Sequence, residues 1–326
     1  MAESRTDAGV PVLAVSGLEC RVSSAFALRG VDFSVAAGEG VAVIGTNGAG
    51  KTTLIRLLAG LLQPTAGQVR ICGTPPRSWG RASRHLGYVQ QAKELPDGVT
   101  VETYLRHQLR LRRADPGRYR ELVGLAGLGQ YVDQYVRRLS GGSQRKLHII
   151  SAVAHRPDLL ILDEPTTGLD PTAQETVLDL LRGLKAEGTG VLFASHHREE
   201  LVALADSVVM LHQGQQVKEA SLAEVVLSGG RSSLTLHAFA DSDVEQLRVW
   251  AAKSAAADGP AGAVRPVDGG VTVELSGRAR PDALGELVAR AHADGLALRS
   301  ASYGSPTLAE VVRSIVEQVE GNGTQT

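Results

Sequence analysis

The chain has little cysteine, no excess charge of one sign and no long apolar run, and each shortage excludes a class of protein. Its two cysteines, Cys20 and Cys72, stand far apart and without metal-ligand spacing. They imply no disulfide framework, fit a reducing compartment, and are expected to be small buried apolar residues. Lys and Arg total 34 against 35 Asp and Glu, a formal net charge of -1 over 326 residues. That balance argues against a polycation spread over nucleic acid, so no nucleic-acid partner is expected. No stretch approaches the ~18–20 apolar residues of a membrane-spanning helix, so a membrane role is expected to need a separate membrane partner. Segment 1–11 is polar and lacks the apolar centre of a signal peptide; it is expected to be disordered. What remains, 43% hydrophobic and 21% charged residues, is an ordinary composition for a chain of two domains.

The most informative stretch is Gly45-Thr46-Asn47-Gly48-Ala49-Gly50-Lys51-Thr52-Thr53. An apolar run over 41–44 precedes it and reads as a buried strand. The spacing of 54–58 is helical, with Gly60 as its stop signal. Strand, glycine-rich turn, Lys-Thr and helix together make a phosphate-binding loop. The glycines let successive backbone N–H groups face a phosphate, and the helix start adds the positive end of its dipole. Lys51 is expected to reach the β- and γ-phosphates, and the Thr52 hydroxyl to ligate Mg²⁺.

Around this loop, strands are expected over 12–20, 31–35, 68–71 and 86–91. Residues 100–154 read as mostly helical, opened by a capping box with Thr100 as N-cap. This region carries Arg106, His107, Arg110, Arg112, Arg113, Arg118 and Arg120. The cluster reads as a solvated helical face, or alternatively as a contact for lipid headgroups or an acidic partner. Leu139-Ser140-Gly141-Gly142-Ser143-Gln144 opens a helix near Ser140. Leu159-Leu160-Ile161-Leu162 is a fully buried strand, and Asp163-Glu164 sit at its carboxyl end, where open α/β sheets place ligands. Adjacent on the chain, the two carboxylates point in different directions, so one suits a metal and the other an attacking water. A strand over 191–195 ends in His196-His197, of which one is expected to face the same crevice.

A hairpin is expected around Gln213-Gly214 and a short helix over 222–227. Past a linker at 228–231, strand 233–239, helix 241–256, hairpin 264–275, helix 281–293 and strand 296–302 form a β-α-β-β-α-β unit of ferredoxin-like order, followed by a helix over 306–319 and a disordered tail over 321–326.

The joint order of these motifs resembles the ATP-binding cassette (ABC) ATPase family over roughly 12–227, and the Leu-Ser-Gly-Gly run separates that family from other phosphate-loop NTPases. The resemblance implies an α/β ABC-type ATPase core over 12–228, with a helical subdomain at about 92–155. A small α+β accessory or regulatory domain over 229–320 would follow. ATP and Mg²⁺ are the implied cofactors. Gly45, Asn47, Gly48, Ala49, Gly50, Lys51, Thr52 and Thr53 would hold phosphates. Gln91 would sense Mg²⁺ and the γ-phosphate and face the membrane partner. Ser140, Gly141 and Gly142 would bind the ATP of a second subunit in a head-to-tail homodimer, and Asp170 would communicate across it. Asp163 would hold Mg²⁺ through water, Glu164 would be the general base, and His196 the switch histidine. The family's adenine-stacking aromatic falls at Val22 here, with Phe26 nearby as a substitute.

The stretches 164–171 and 305–312 look like ATPases of bacterial drug-exporter-type transporters. The expected function is therefore hydrolysis of ATP at the cytoplasmic face of a membrane, driving a separately encoded permease. An importer ATPase is one alternative. A soluble ABC ATPase on DNA or ribosomes is another, although the interval from Lys51 to Ser140 leaves no room for the long coiled coil of repair ATPases. The cargo is not written in this chain.

Overall fold

The computed structural model describes residues 10–22, 26–76, 82–91, 95–228, 232–239, 243–257, 264–275 and 282–304. The expected helix over 306–319, the tail, and most of the N-terminal segment and linker lie outside the described residues. The chain divides into two units, Met1–Ala223 and Glu224–Thr326.

The first unit is built on nine strands: β1 (Leu13–Arg21), β2 (Ala27–Val35), β3 (Gly40–Gly45), β4 (Ala66–Ile71), β5 (Leu86–Val89), β6 (Leu159–Asp163), β7 (Gly190–Ala194), β8 (Ser207–His212) and β9 (Gln215–Ser221). Their order in the sheet is β4-β1-β2-β9-β8-β3-β7-β6-β5. The run β8-β3-β7-β6-β5 is parallel, while β1 pairs antiparallel with β2 and β4, and β8 with β9. Every residue of β6 and β7 is buried, as expected of strands covered on both faces. Strand β2 begins four residues before the expected position. Arg29 and Gly30, the latter at φ +59°, interrupt the alternation there, yet Leu28 is fully buried and pairs with Cys20.

Helix α1 (Lys51–Leu58) buries Leu54, Ile55, Leu57 and Leu58. At roughly 1.5–3 kcal/mol per such side chain, this packing fixes the start of the helix against the end of β3. The helical segment contains α2 (Val101–Leu111), α3 (Arg118–Leu125) and α4 (Gly141–Ala152). Thr100 caps α2, accepting from the Thr103 N–H at 3.2 Å, and Ser140 caps α4, accepting from the Ser143 N–H at 3.3 Å. The basic cluster is only partly a solvated face. Arg106 pairs with Glu102 at 2.7 Å and lies over the Tyr119 ring. Arg118 turns inward, where its Nη1 donates to the Val153 and Ala154 carbonyls that end α4. Helix α5 (Pro171–Ala186) is capped by Asp170, with proline at its first position, and α6 (Arg198–Leu204) follows β7.

Helix α7 (Leu222–Ser228) leads to the second unit, which holds β10 (Ser232–Ala238), α8 (Val244–Ala257), β11 (Val264–Val267), β12 (Gly270–Leu275), α9 (Asp282–Ala293) and β13 (Leu298–Gly304). Its four strands are antiparallel in the order β11-β12-β10-β13, the arrangement of a split β-α-β unit. Leu236, Leu247, Ala251, Val271, Ala291 and Leu296 form its core.

Candidate functional site at the strand ends

The parallel register brings four connections to one edge of the sheet. Val43 and Asp163 both pair with Ala194, and Val89 pairs with Leu162. The loop after β3, the Ser195-His196 turn after β7, Asp163-Glu164 at the end of β6 and Gln90-Gln91 after β5 therefore emerge side by side. This is the carboxyl edge at which such sheets bind ligands.

Gly50 caps α1 at φ +108°, a conformation that favours glycine, and it offers no side chain to the first-turn N–H groups. A helix start of this kind is suited to receive an anion. A Cβ on Gly50 would stand 3.0 Å from the Phe26 ring, so Phe26 packs against the loop, while Val22 is 53% exposed. The Lys51 ammonium donates to the Gly45 and Thr46 carbonyls at 2.8 and 3.2 Å. Burial lowers its pKa, and Glu164 and Asp163 oppose that shift. Thr52 is exposed on the first turn of the helix.

The two carboxylates have different surroundings. Asp163 is buried, and burial raises its pKa, with the Glu164 charge adding to the rise and Arg56, Arg145 and Lys51 opposing it. Glu164 sits at φ +46°, an unusual conformation for a non-glycine residue and one that costs about 1–3 kcal/mol. The turn leaves its carboxylate held from three sides. One oxygen accepts from Gln91 Nε2 at 2.5 Å and from the Thr167 hydroxyl at 3.0 Å, and the other lies 3.3 Å from His196 Nδ1. Of the two histidines, His196 faces the crevice. His197 caps α6, with its N–H donating to the Ser195 hydroxyl.

Ser140 and Asp170 use their side chains as helix caps, and the two cap regions touch. A Cβ on Gly142 would come within 2.6 Å of Ala173, one on Gly141 within 3.5 Å of Leu169. This is a close approach that only glycine at 142 permits.

Three residues of this edge escape motif reading. Thr167 grips Glu164 as described. Arg145, buried on α4, donates to backbone carbonyls at 90–91 and 163–165. Glu200 is fully buried and accepts from the Thr166 N–H and hydroxyl. The available signal was a charged residue amid an apolar helix face, as at Arg145 before Leu147, Ile149 and Ile150.

The donors fit a nucleotide with a hard divalent cation. The glycine cradle and the partly buried Lys51 suit phosphates, and the Thr52 hydroxyl, the Gln91 side-chain amide and the buried Asp163 carboxylate offer oxygen ligands suited to Mg²⁺.

Residues 28–167 match the family model for ABC transporters. The chain belongs to the ABC transporter ATP-binding proteins and is an ATPase of that class. It is 36% identical over 225 residues to the Nod factor export ATP-binding protein I of Ralstonia nicotianae, covering 66% of this chain and 69% of that one. To the daunorubicin/doxorubicin resistance ATP-binding protein of Streptomyces peucetius it is 36% identical, covering 68% of each. A solved ATP-binding subunit of an ABC transporter superposes with a TM-score of 0.60 at 30% identity, over 66% of this chain and 91% of that one. A dimeric cassette bound to ADP and Pi shares the fold, with a TM-score of 0.58 at 23% identity over 64% and 98%. Among the described residues, no helix is long and apolar enough to cross a membrane.

Proposed function

We propose that the chain is the ATP-hydrolysing subunit of an exporter, working as a head-to-tail homodimer on the cytoplasmic face of the membrane beside a separate permease. The observation that carries hydrolysis is the Glu164 carboxylate, gripped by Gln91, Thr167 and His196 at the strand ends next to the Lys51 loop. Export is favoured by similarity to relatives named for Nod factor export and for drug resistance.

In this reading the 45–53 loop binds the phosphates through its N–H groups, and Lys51 exchanges its carbonyl contacts for phosphate oxygens. Thr52, Gln91 and Asp163 would hold Mg²⁺, which when bound would offset phosphate charge. Glu164 orients the attacking water and accepts its proton, and His196 steadies that carboxylate. Ser140, Gly141 and Gly142 face the partner subunit's nucleotide, with Asp170 beside them. The unit beyond 228 is an accessory domain.

Two measurements test this. Phosphate release with Mg-ATP should fall by roughly 10²–10⁴-fold in Glu164→Gln, and an unchanged rate would remove Glu164 from the mechanism. Tagged Glu164→Gln protein, recovered from detergent-solubilised native membranes with ATP, should carry a multi-spanning membrane protein in near-equal amount. Ribosomal or DNA-bound material alone would overturn the transporter reading.

A further inference from the structure

Strands β5 and β6 stop pairing after Val89 and Leu162, just before both chains deliver Gln91 and Glu164. Beyond that point, among the described residues, they are joined by the Gln91–Glu164 side-chain hydrogen bond and by the guanidinium of Arg145. Arg145 is 7% exposed, and its Nε donates to the Pro165 carbonyl at 2.7 Å. Its Nη1 donates to the carbonyls of Gln90 at 2.6 Å and Gln91 at 3.4 Å, and its Nη2 to those of Asp163 at 3.1 Å and Glu164 at 3.0 Å. The planar fork of five N–H donors matches five carbonyls from two segments, a task that the point charge of a lysine cannot reproduce. Glu200 supplies a nearby negative charge from α6, and it holds Thr166, the next residue along the same turn.

Arg145 also belongs to α4, the helix that starts at Ser140-Gly141-Gly142. We infer that Arg145 is the positioning residue that sets the Gln91–Glu164 pair and links it rigidly to the helix carrying the Ser-Gly-Gly start, so that a displacement of that helix is felt at the hydrolytic carboxylate. Arg145 acts through main-chain carbonyls and touches no reacting atom. The inference rests on the hydrolytic role proposed for Glu164, and one of its tests does not depend on that role.

The variant is Arg145→Lys, in the full-length chain. Its turnover should fall by roughly ten- to a hundredfold, while binding of a fluorescent ATP analogue without turnover stays at the wild-type affinity, because the phosphate loop is untouched. In a Glu164→Gln background the same substitution should cause no further loss, since both act on one group. Independently of hydrolysis, amide exchange should accelerate over 90–91 and 163–166 and stay unchanged over 51–58. Wild-type turnover, multiplicative losses in the double variant, or unaltered exchange at those residues would each overturn the inference. Should the lysine variant not fold, Arg145→Gln, which buries two donors and no charge, takes its place with the same expectations. A wild-type chain that failed to hydrolyse Mg-ATP would sink the hydrolase reading alone, and the exchange measurement would still decide on Arg145.

Discussion

The two units bury different kinds of residue. All eight buried polar or charged side chains among the described residues lie between Arg145 and Glu200 of the first unit, and they include Asp163, Thr166 and Ser195 beside the strand ends. The core of the second unit is Leu, Ala and Val. Burying a polar group without a partner is costly, so such groups persist where an arrangement needs them. In the first unit five of them, Arg145, Asp163, Thr166, Ser195 and Glu200, lie at or reach the edge that holds Lys51, Glu164 and His196. The second unit is a sheet with helices packed by apolar contacts, which suits an accessory role better than a chemical one.

Asp163→Asn is the sharpest way to break this comparison. Folding raises the Asp163 pKa, chiefly by burial, so the native chain binds a proton there more readily than the unfolded chain. Stability from this group therefore falls as pH rises above the ordinary carboxylate range, and at neutral pH the buried charge opposes folding. Replacing it should lower hydrolysis by at least roughly a hundredfold while raising the melting temperature on the order of 2–4 °C. Phosphate release and calorimetry on one preparation check both. A melting temperature that falls would mean that the carboxylate stabilises the fold, and that the first unit does not trade stability for its site.

Much of this edge was legible because its signals are local. The phosphate loop, the apolar run into Asp163-Glu164 and the Ser140 cap each occupy a few consecutive residues. The partners of Arg145 were not legible, because they are backbone carbonyls that carry no residue identity and stand up to 55 positions away. Cys72 shows the same limit. Read as a small buried apolar residue, it is only half-buried, and its thiol is pushed up to about 12 by burial and by the Asp158 carboxylate. That carboxylate also pairs with His85 at 2.6 Å. The early start of β2 was hidden by Arg29 and Gly30, whose place in the strand is set by pairing with β1. The order of the strands in both sheets likewise comes from pairings between distant segments.

A core truncation in the second unit tests its separateness with a smaller effect. Leu247 on α8 is 1% exposed, and Leu247→Ala should cost about 2–5 kcal/mol. Calorimetry should show one transition moving down while another stays, with the rate of hydrolysis per folded molecule preserved. If both transitions shift together, the two units unfold as one and the contrast in their cores does not mark independent stability.

The last effect comes from a half-buried histidine of the first unit away from the strand ends. His155 Nε2 is buried, and Arg112 Nη1 lies 3.4 Å from Nδ1, placing an arginine donor at the nitrogen that must stay unprotonated. Burial, with the Arg112 and Arg118 charges, lowers its pKa to about 4 against the opposing pull of the Leu86 and Ser83 backbone. The unfolded chain protonates this ring near pH 6.5, and the native chain does so only near 4. Between those values the unfolded state binds the extra proton, so stability is full above pH 6.5 and is lost as pH falls toward 4. The loss from this one ring is on the order of 3 kcal/mol. His155→Leu should flatten the pH dependence of the first unit's unfolding free energy between pH 6.5 and 4, leaving its slope below 4 intact. An unchanged slope across that window would show that the ring exchanges its proton as freely in the folded chain as in water. The polar burial of the first unit would then carry a pH cost only at the strand ends.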